Sequence, residues 1–284
     1  MSDLPAPETF LSGEPLALEG RRARYRARVV DAAASGRAAL GRTSARLDRL
    51  AGDAPERSVR VLSIYRPPAA RLVHALPALS SARGHQVDLR FGSTGDAVPD
   101  LAAHTVVTGM DRGKFENLNA LWPGESPDWT LVVDDDVVLP DRFLDRFIGV
   151  CERFDLAMAQ PAQTHSSHAA WRVTRRRPGV LVRESRFVEI GPVTAFRRDA
   201  AEELLPFPEL RYGWGLDVHW AALAEQHGWR LGIVDALAVR HDEGTIAATY
   251  SSEAAIEEAR RFLADRPYVT SARAQETVAV HRRA

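Results

Sequence analysis

WTLVVDDDVVLPDRFL, residues 129–144, joins an apolar run to a cluster of acids. Five uncharged residues, Trp129 to Val133, run straight into Asp134, Asp135 and Asp136. A short apolar run bounded by turn residues reads as a fully buried strand. DRFLDRFIGVCERF (141–154) follows it with helical character. In an open α/β sheet, ligands bind beyond the carboxyl ends of the strands. A strand that ends in three acids therefore sets carboxylates at the ligand edge. Adjacent carboxylates repel unless a cation sits among them, so the run predicts a hard divalent ion. The plainer alternative is a solvated turn in which an Asp caps the next helix.

Working outward, the same alternation continues. VRVLSIY (59–65), HQVDLRF (85–91) and HTVVTG (104–109) read as strands upstream, with RLVHALPALSSARG (71–84) helical between the first two. DRGKFENLNALW (111–122) is helical and leads into the acidic strand. Downstream come DLAMAQ (155–160) and RFVEIGPVTAFRRDAAEELLPF (186–207), a strand running into a short helix. GLDVHWAALAEQHGWRLGIVD (215–235) is a helix closed by Gly228 and then a strand. Strands alternating with helices predict an α/β fold on a mostly parallel sheet.

The flanks differ in composition. Residues 1–18 are acidic and Pro-rich and read as a flexible tail. Residues 19–57 form an Arg/Ala-rich helical extension and linker, with nine Arg against three acids over 19–51. Its thin apolar stripe predicts packing on the main domain, spanning 58–250. Peripheral contact with an anionic membrane stays open, as does a homodimer through this helix or the C-terminal one. Residues 251–284 read as one amphipathic helix stopped by Pro267, and then a tail.

Composition narrows the classes. At 284 residues, 45% hydrophobic and 26% charged, the chain is an ordinary globular one. Lys+Arg 37 against Asp+Glu 38 leaves net charge -1, so no whole-chain basic footprint points to nucleic acid. The single cysteine, Cys151, excludes a disulfide framework and a Cys-based zinc site, and its apolar setting predicts an inert buried thiol. With no basic-then-apolar leader and no membrane-length apolar run, a cytoplasmic location is expected.

Three further signals carry chemistry. Lys114 is the only lysine among 37 basic residues, and it follows Gly113 at a helix start, a setting that suits a phosphate or carboxylate. Gly213-Trp214-Gly215-Leu216-Asp217 places an aromatic and glycines beside an acid at a helix mouth. Trp214 and Gly215 suit an acceptor-side sugar platform, and Asp217 a general base of raised pKa. The alternative has Asp217 cap the helix while the tryptophans pack the core. His241, just after the strand RLGIVD, is placed to reach back to the acids as a metal ligand. Tyr65 and Arg66, ending the first strand, suit base stacking and phosphate contact.

In order and spacing, GKFENLNAL, WTLVVDDDVVLPDRFL, IGPVTAFRRDAAEEL and YGWGLDVHWAALAEQHGWRLGIVDALAVRH resemble the family 2-type glycosyltransferases of GT-A fold. The resemblance covers about residues 59–242. It implies a nucleoside-diphosphate-sugar donor, an acceptor hydroxyl of unknown identity, and transfer with inversion. It also implies Mn²⁺ or Mg²⁺ held chiefly by Asp136, with Asp134 and His241. Lys114, Asn119, Asp134 and Asp135 would line the donor pocket, and Asp217 would deprotonate the acceptor. One departure stands out: Arg90 and Phe91 occupy positions where the family has acids that read the base. His165, His168 and Arg175–Arg177 face either the acceptor or solvent.

The residues also fit two alternatives. Asp134-x-Asp136-x-Val138-Leu139 also resembles the first motif of haloacid dehalogenase-type phosphatases. That family needs a later Lys and a second acidic pair, and neither follows here. The other alternative is a nucleotide-binding GT-A protein without turnover.

Overall fold

Strand β1 (Ser58–Tyr65) is paired in parallel with β2 (Gln86–Ser93) on one side and with β4 (Trp129–Val133) on the other. This computed structural model describes residues 4–12, 20–167, 169–241 and 251–283. Before β1 lie helices α1 (Pro7–Phe10), α2 (Gly20–Leu40) and α3 (Thr43–Asp53). Between β1 and β4 come α4 (Ala70–Leu79), β2, β3 (Thr105–Val107) and α5 (Lys114–Leu121). After β4 follow β5 (Val137–Val138), α6 (Phe143–Arg153), β6 (Met158–Gln163), β7 (Val182–Ser185) and β8 (Val193–Arg197). The remainder is α7 (Arg198–Leu204), α8 (Leu216–His227), β9 (Leu231–His241), α9 (Ser252–Leu263), α10 (Ser271–Ala274) and β10 (Thr277–His281).

The sheet runs in the order β10-β7-β9-β6-β8-β4-β1-β2-β3, with β5 paired to β9 off this path. β3, β2, β1, β4, β6, β9 and β10 share one direction, while β8 and β7 oppose it. The expected mostly parallel α/β sheet is thus present. Strand periodicity divides the core in two. Trp129, Leu131 and Val133 of β4 join Leu50, Leu72 and Phe147, from α3, α4 and α6. Val132 turns to the other face, where Phe115, Leu204, Trp220 and Phe262 of α5, α7, α8 and α9 collect. Cys151 is buried on the first face, and burial pushes its thiol well up, as its inert role requires.

Both flanks differ from their sequence reading. The tail expected over 1–18 includes α1, whose Phe10 is buried in the core. Arg260 Nε donates to Pro5 O at 3.0 Å and Ser271 Oγ to Glu8 O at 3.0 Å, so this segment is docked. Residues 1–3 and 13–18 of that tail lie outside the described residues, as do 242–250 and 284. The linker expected near 51–58 is helical through Asp53, because Leu47, Leu50 and Ala51 seat α3 in the core. Beyond Pro267 the expected tail contains β10, which adds to β7 at the sheet edge. Its alternation is inverted, with Val278 and Val280 exposed, so its apolar residues do not mark a core-facing strand.

The seating of α3 depends on Gly149 in α6. A Cβ there would lie 2.7 Å from Ala51 N and 2.8 Å from Leu50 C. Both are backbone atoms and have nowhere to go. Gly149→Ala should cost about 1–3 kcal/mol of stability. The loss would show as a lower urea midpoint, and an unchanged midpoint would mean that α3 is not seated on α6.

Candidate functional site

Beyond β4 each of the three acids has a different partner. Asp134 N donates to Pro192 O (2.8 Å), continuing the β4–β8 ladder. Its Oδ1 sits 2.6 Å from Lys114 Nζ, which also donates to Ile190 O at 3.3 Å. Lys114 can do this because it opens α5, where Gly113 N donates to Glu116 Oε2 (2.8 Å) and fixes the helix start. Gly191 lies over this pair. A Cβ there would come within 2.9 Å of Asp134 Oδ2 and 3.2 Å of Lys114 Nζ, so a side chain at 191 would push the ends of this pair aside.

Asp135 is held by the backbone. Arg66 N, just past the end of β1, donates to its Oδ2 at 2.8 Å. Burial, followed by the charges of Asp136 and Asp134, outweighs that bond and raises Asp135 to about 6. Asp136 meets His241 through the two-residue strand β5, which pairs Val137 with His241. His241 Nε2 stands 2.9 Å from Asp136 Oδ1. Burial works against protonation of this imidazole, but the Asp136 and Asp134 carboxylates prevail and hold its pKa above the usual value. His241 N donates to Ser167 Oγ (2.8 Å), which fixes the strand end from below.

The metal expectation can be tested on this geometry. Asp134, Asp136 and His241 each offer one ligand atom, and these atoms all lie within 4.8 Å of one another. Asp136 Oδ1 is buried, and its one close partner, His241 Nε2 at 2.9 Å, is poorly aligned as a donor. A buried carboxylate oxygen left in that state is costly, and a cation satisfies it. Two carboxylates and an imidazole suit Mn²⁺, and suit Mg²⁺ less well because it prefers oxygen ligands. The residues present fit a divalent ion.

Asp217 lies in the first turn of α8 and is buried. Burial pushes it up to about 7, opposed by the Val218 N–H (2.9 Å) and by Trp171. Glu189 is a neighbour that the sequence reading missed. Burial, and then the charge of Asp217, raise Glu189 to about 8. Gln163 Nε2 donates to its Oε2 at 2.7 Å, and Glu189 N donates to Gln160 Oε1. The available signal was an acid between Val188 and Ile190, where an apolar strand was expected. Those residues form an irregular segment before β8, which lets Glu189 turn inward.

Several expected site residues have other jobs. Tyr65 is 1% exposed, and its hydroxyl pairs with Thr105 Oγ1 (2.8 Å) and accepts from Val98 N (3.1 Å), so its ring offers no face to a base. Asn119 clamps the chain at Phe207, donating from Nδ2 to its O and accepting at Oδ1 from its N, both at 2.8 Å. Gly215 is buried against Leu263 and Ala259 of α9 and caps α8 with φ +90°, which places it at a turn. Trp214 stays half-buried beside Asp217, and Arg66 keeps an exposed side chain beside Asp135. Arg175 Nη1 donates to Thr164 O (2.6 Å) and Ser167 O (2.7 Å), so part of the basic run braces the loop under His241. His165 joins that brace through its bond to Arg176 O, and His168 lies outside the described residues.

No protein-family model and no curated protein sequence matches the chain. Solved structures do match in shape. TarS of S. aureus (residues 1–349), in complex with UDP-GlcNAc, aligns at TM-score 0.50 and 12% identity over 72% of this chain and 65% of its own. This is the GT-A fold. The mannosyltransferase PcManGT of Pyrobaculum calidifontis, with GDP-Man and Mn²⁺, aligns at TM-score 0.45 and 18% identity over 73% and 65%. GalNAc-T7, with UDP, GalNAc and Mn²⁺, aligns at 0.45 and 12% over 66% and 44%. The chain thus spans less than two thirds of the length of these structures. No helix among the described residues is long and apolar enough to cross a membrane.

The clamp at Asn119 gives the site a test. Asn119→Ala removes both bonds to Phe207 and should cost about 1–3 kcal/mol of stability, read from thermal melting. Affinity for a nucleoside diphosphate should hold. Weakened affinity at unchanged stability would return Asn119 to the donor pocket.

Proposed function

We propose that the chain is a metal-dependent glycosyltransferase, moving a sugar from a nucleoside-diphosphate donor to an acceptor hydroxyl with inversion. The observation that carries this reading is the meeting of Asp134, Asp136 and His241 at the carboxyl edge of β4, on a GT-A fold. The complexes of TarS, PcManGT and GalNAc-T7 with nucleotide or sugar support the donor class. Asp136, Asp134 and His241 would hold Mn²⁺ or Mg²⁺. When bound, that cation supplies charge stabilisation to the departing diphosphate.

The chain's own residues do the rest. Lys114 holds Asp134 in place and presents a positive charge where the diphosphate arrives. Arg66, exposed at the end of β1, offers a guanidinium to the same phosphates. Asp217 accepts the proton of the acceptor hydroxyl as that oxygen attacks the anomeric carbon. Its buried setting keeps its pKa near neutrality, and Trp214 beside it gives the acceptor sugar a flat face. A hydroxyl attacking opposite the leaving diphosphate inverts the centre. No observation favours the phosphatase alternative, since Asp134 is engaged by Lys114 and the fold is GT-A.

Asp136→Ala should abolish Mn²⁺-dependent binding of nucleoside diphosphate in calorimetric titration. Unchanged affinity with Mn²⁺ present would remove Asp136 from the metal site. Asp217→Asn should keep donor binding and lower kcat by on the order of 10²-fold or more. A base must be ionised to act, so transfer by the unmodified protein should rise with pH through about 7 and then level off. A flat profile across that range, with near-normal turnover in Asp217→Asn, would take Asp217 out of the mechanism.

A further inference from the structure

Helix α2 turns an unusual face to solvent. Tyr25, Val29 and Leu40 fall on one side at helical spacing and are 71%, 49% and 89% exposed. Ala32 and Ala33 lie between them and are exposed too. Around this stripe stand Arg21, Arg22, Arg26, Arg28 and Arg37, all exposed, and none forms an ion pair with a described acid. Asp31, the one acid of the helix, is used on the opposite side. Its Oδ1 and Oδ2 accept from His165 N and Ser166 N, both at 2.8 Å, and Ala27 and Ala34 are buried on that side. The outer surface therefore combines apolar side chains with unopposed positive charge, on a chain whose net charge is -1.

We propose that this face of α2 docks the protein on an anionic phospholipid surface. The two components of the face need different explanations, and a bilayer supplies both. Guanidinium groups pair with headgroup phosphates, while Tyr25, Val29 and Leu40 enter the headgroup–acyl boundary. The apolar stripe is narrow, so binding is shallow and rests mainly on charge. A second copy of the chain would set arginines against arginines across the stripe, which like-charge repulsion opposes. Nucleic acid would engage the arginines but leave the two aliphatic side chains without a role. The inner side of α2 touches the loop that supports the candidate site: Asp31 holds residues 165 and 166, and Ser167 Oγ accepts from His241 N at 2.8 Å. Docking therefore sets that site one loop away from the lipid.

Co-sedimentation with vesicles tests this directly and needs neither donor nor metal. The full chain should bind vesicles of phosphatidylcholine mixed with phosphatidylglycerol, ignore phosphatidylcholine alone, and be released by salt. Replacing Arg21, Arg22 and Arg28 together by Gln should lower partitioning by about tenfold or more. Val29→Asp should lower it independently. Each variant should melt at the temperature of the unmodified protein, since these side chains face solvent. No binding to the mixed vesicles would overturn the proposal. So would binding to an oligonucleotide in place of vesicles, or a dimer in light scattering that Val29→Asp dissociates while vesicles go unbound. Lipid binding without nucleotide binding would leave this inference standing and defeat only the proposed transferase function.

Discussion

Three carboxylates on consecutive residues at the end of a buried strand cannot share one environment. Their repulsion is the constraint around which the carboxyl edge of the sheet is built. Lys114 approaches Asp134 from the start of α5, the Arg66 amide caps Asp135 from β1, and β5 carries Asp136 to His241. Each partner comes from a different segment, so four parts of the chain must be in register for the run to be tolerated. The residual strain is visible in Asp135, which burial and its neighbours raise to about 6. It is visible too in Asp136 Oδ1, buried with only the poorly aligned His241 Nε2 close to it. A cation between Asp134, Asp136 and His241 would relieve both.

The second half of the domain uses burial where the first uses charge pairing. Asp217 and Glu189 are both raised toward neutrality because the core around them is apolar. Acids in such a setting exchange protons near pH 7, whereas the paired carboxylates at β4 are suited to holding a positive ion. The two sets meet around His241, whose charge is felt by Glu189 and whose ring faces Asp136.

Much of this was legible in sequence because the signals were local. The strand Trp129–Val133, the acids behind it, the helix start at Lys114 and the helix mouth at Asp217 each occupy a few consecutive residues. What the sequence hid was long-range. Asn119 and Tyr65 sit in a stretch and at a strand end that suggested donor contacts. Their bonds to Phe207, Thr105 and Val98 exist only once the chain has folded back on itself. Glu189 was obscured because FVEIG reads as strand, and only the irregular approach to β8 turns the acid inward. The docked segment at Phe10 and the edge strand β10 were missed for a related reason: each is short, and each is ordered by what it packs against.

The central claim is that the end of β4 and the end of β9 together hold a cation at a nucleotide-diphosphate site. Anomalous diffraction at the manganese edge, from crystals grown with Mn²⁺ and a nucleoside diphosphate, tests it most directly. The account predicts one strong peak between Asp134, Asp136 and His241, with diphosphate oxygens on its open side. A bound diphosphate with no peak at that place, or with the ion held by other residues, would contradict it.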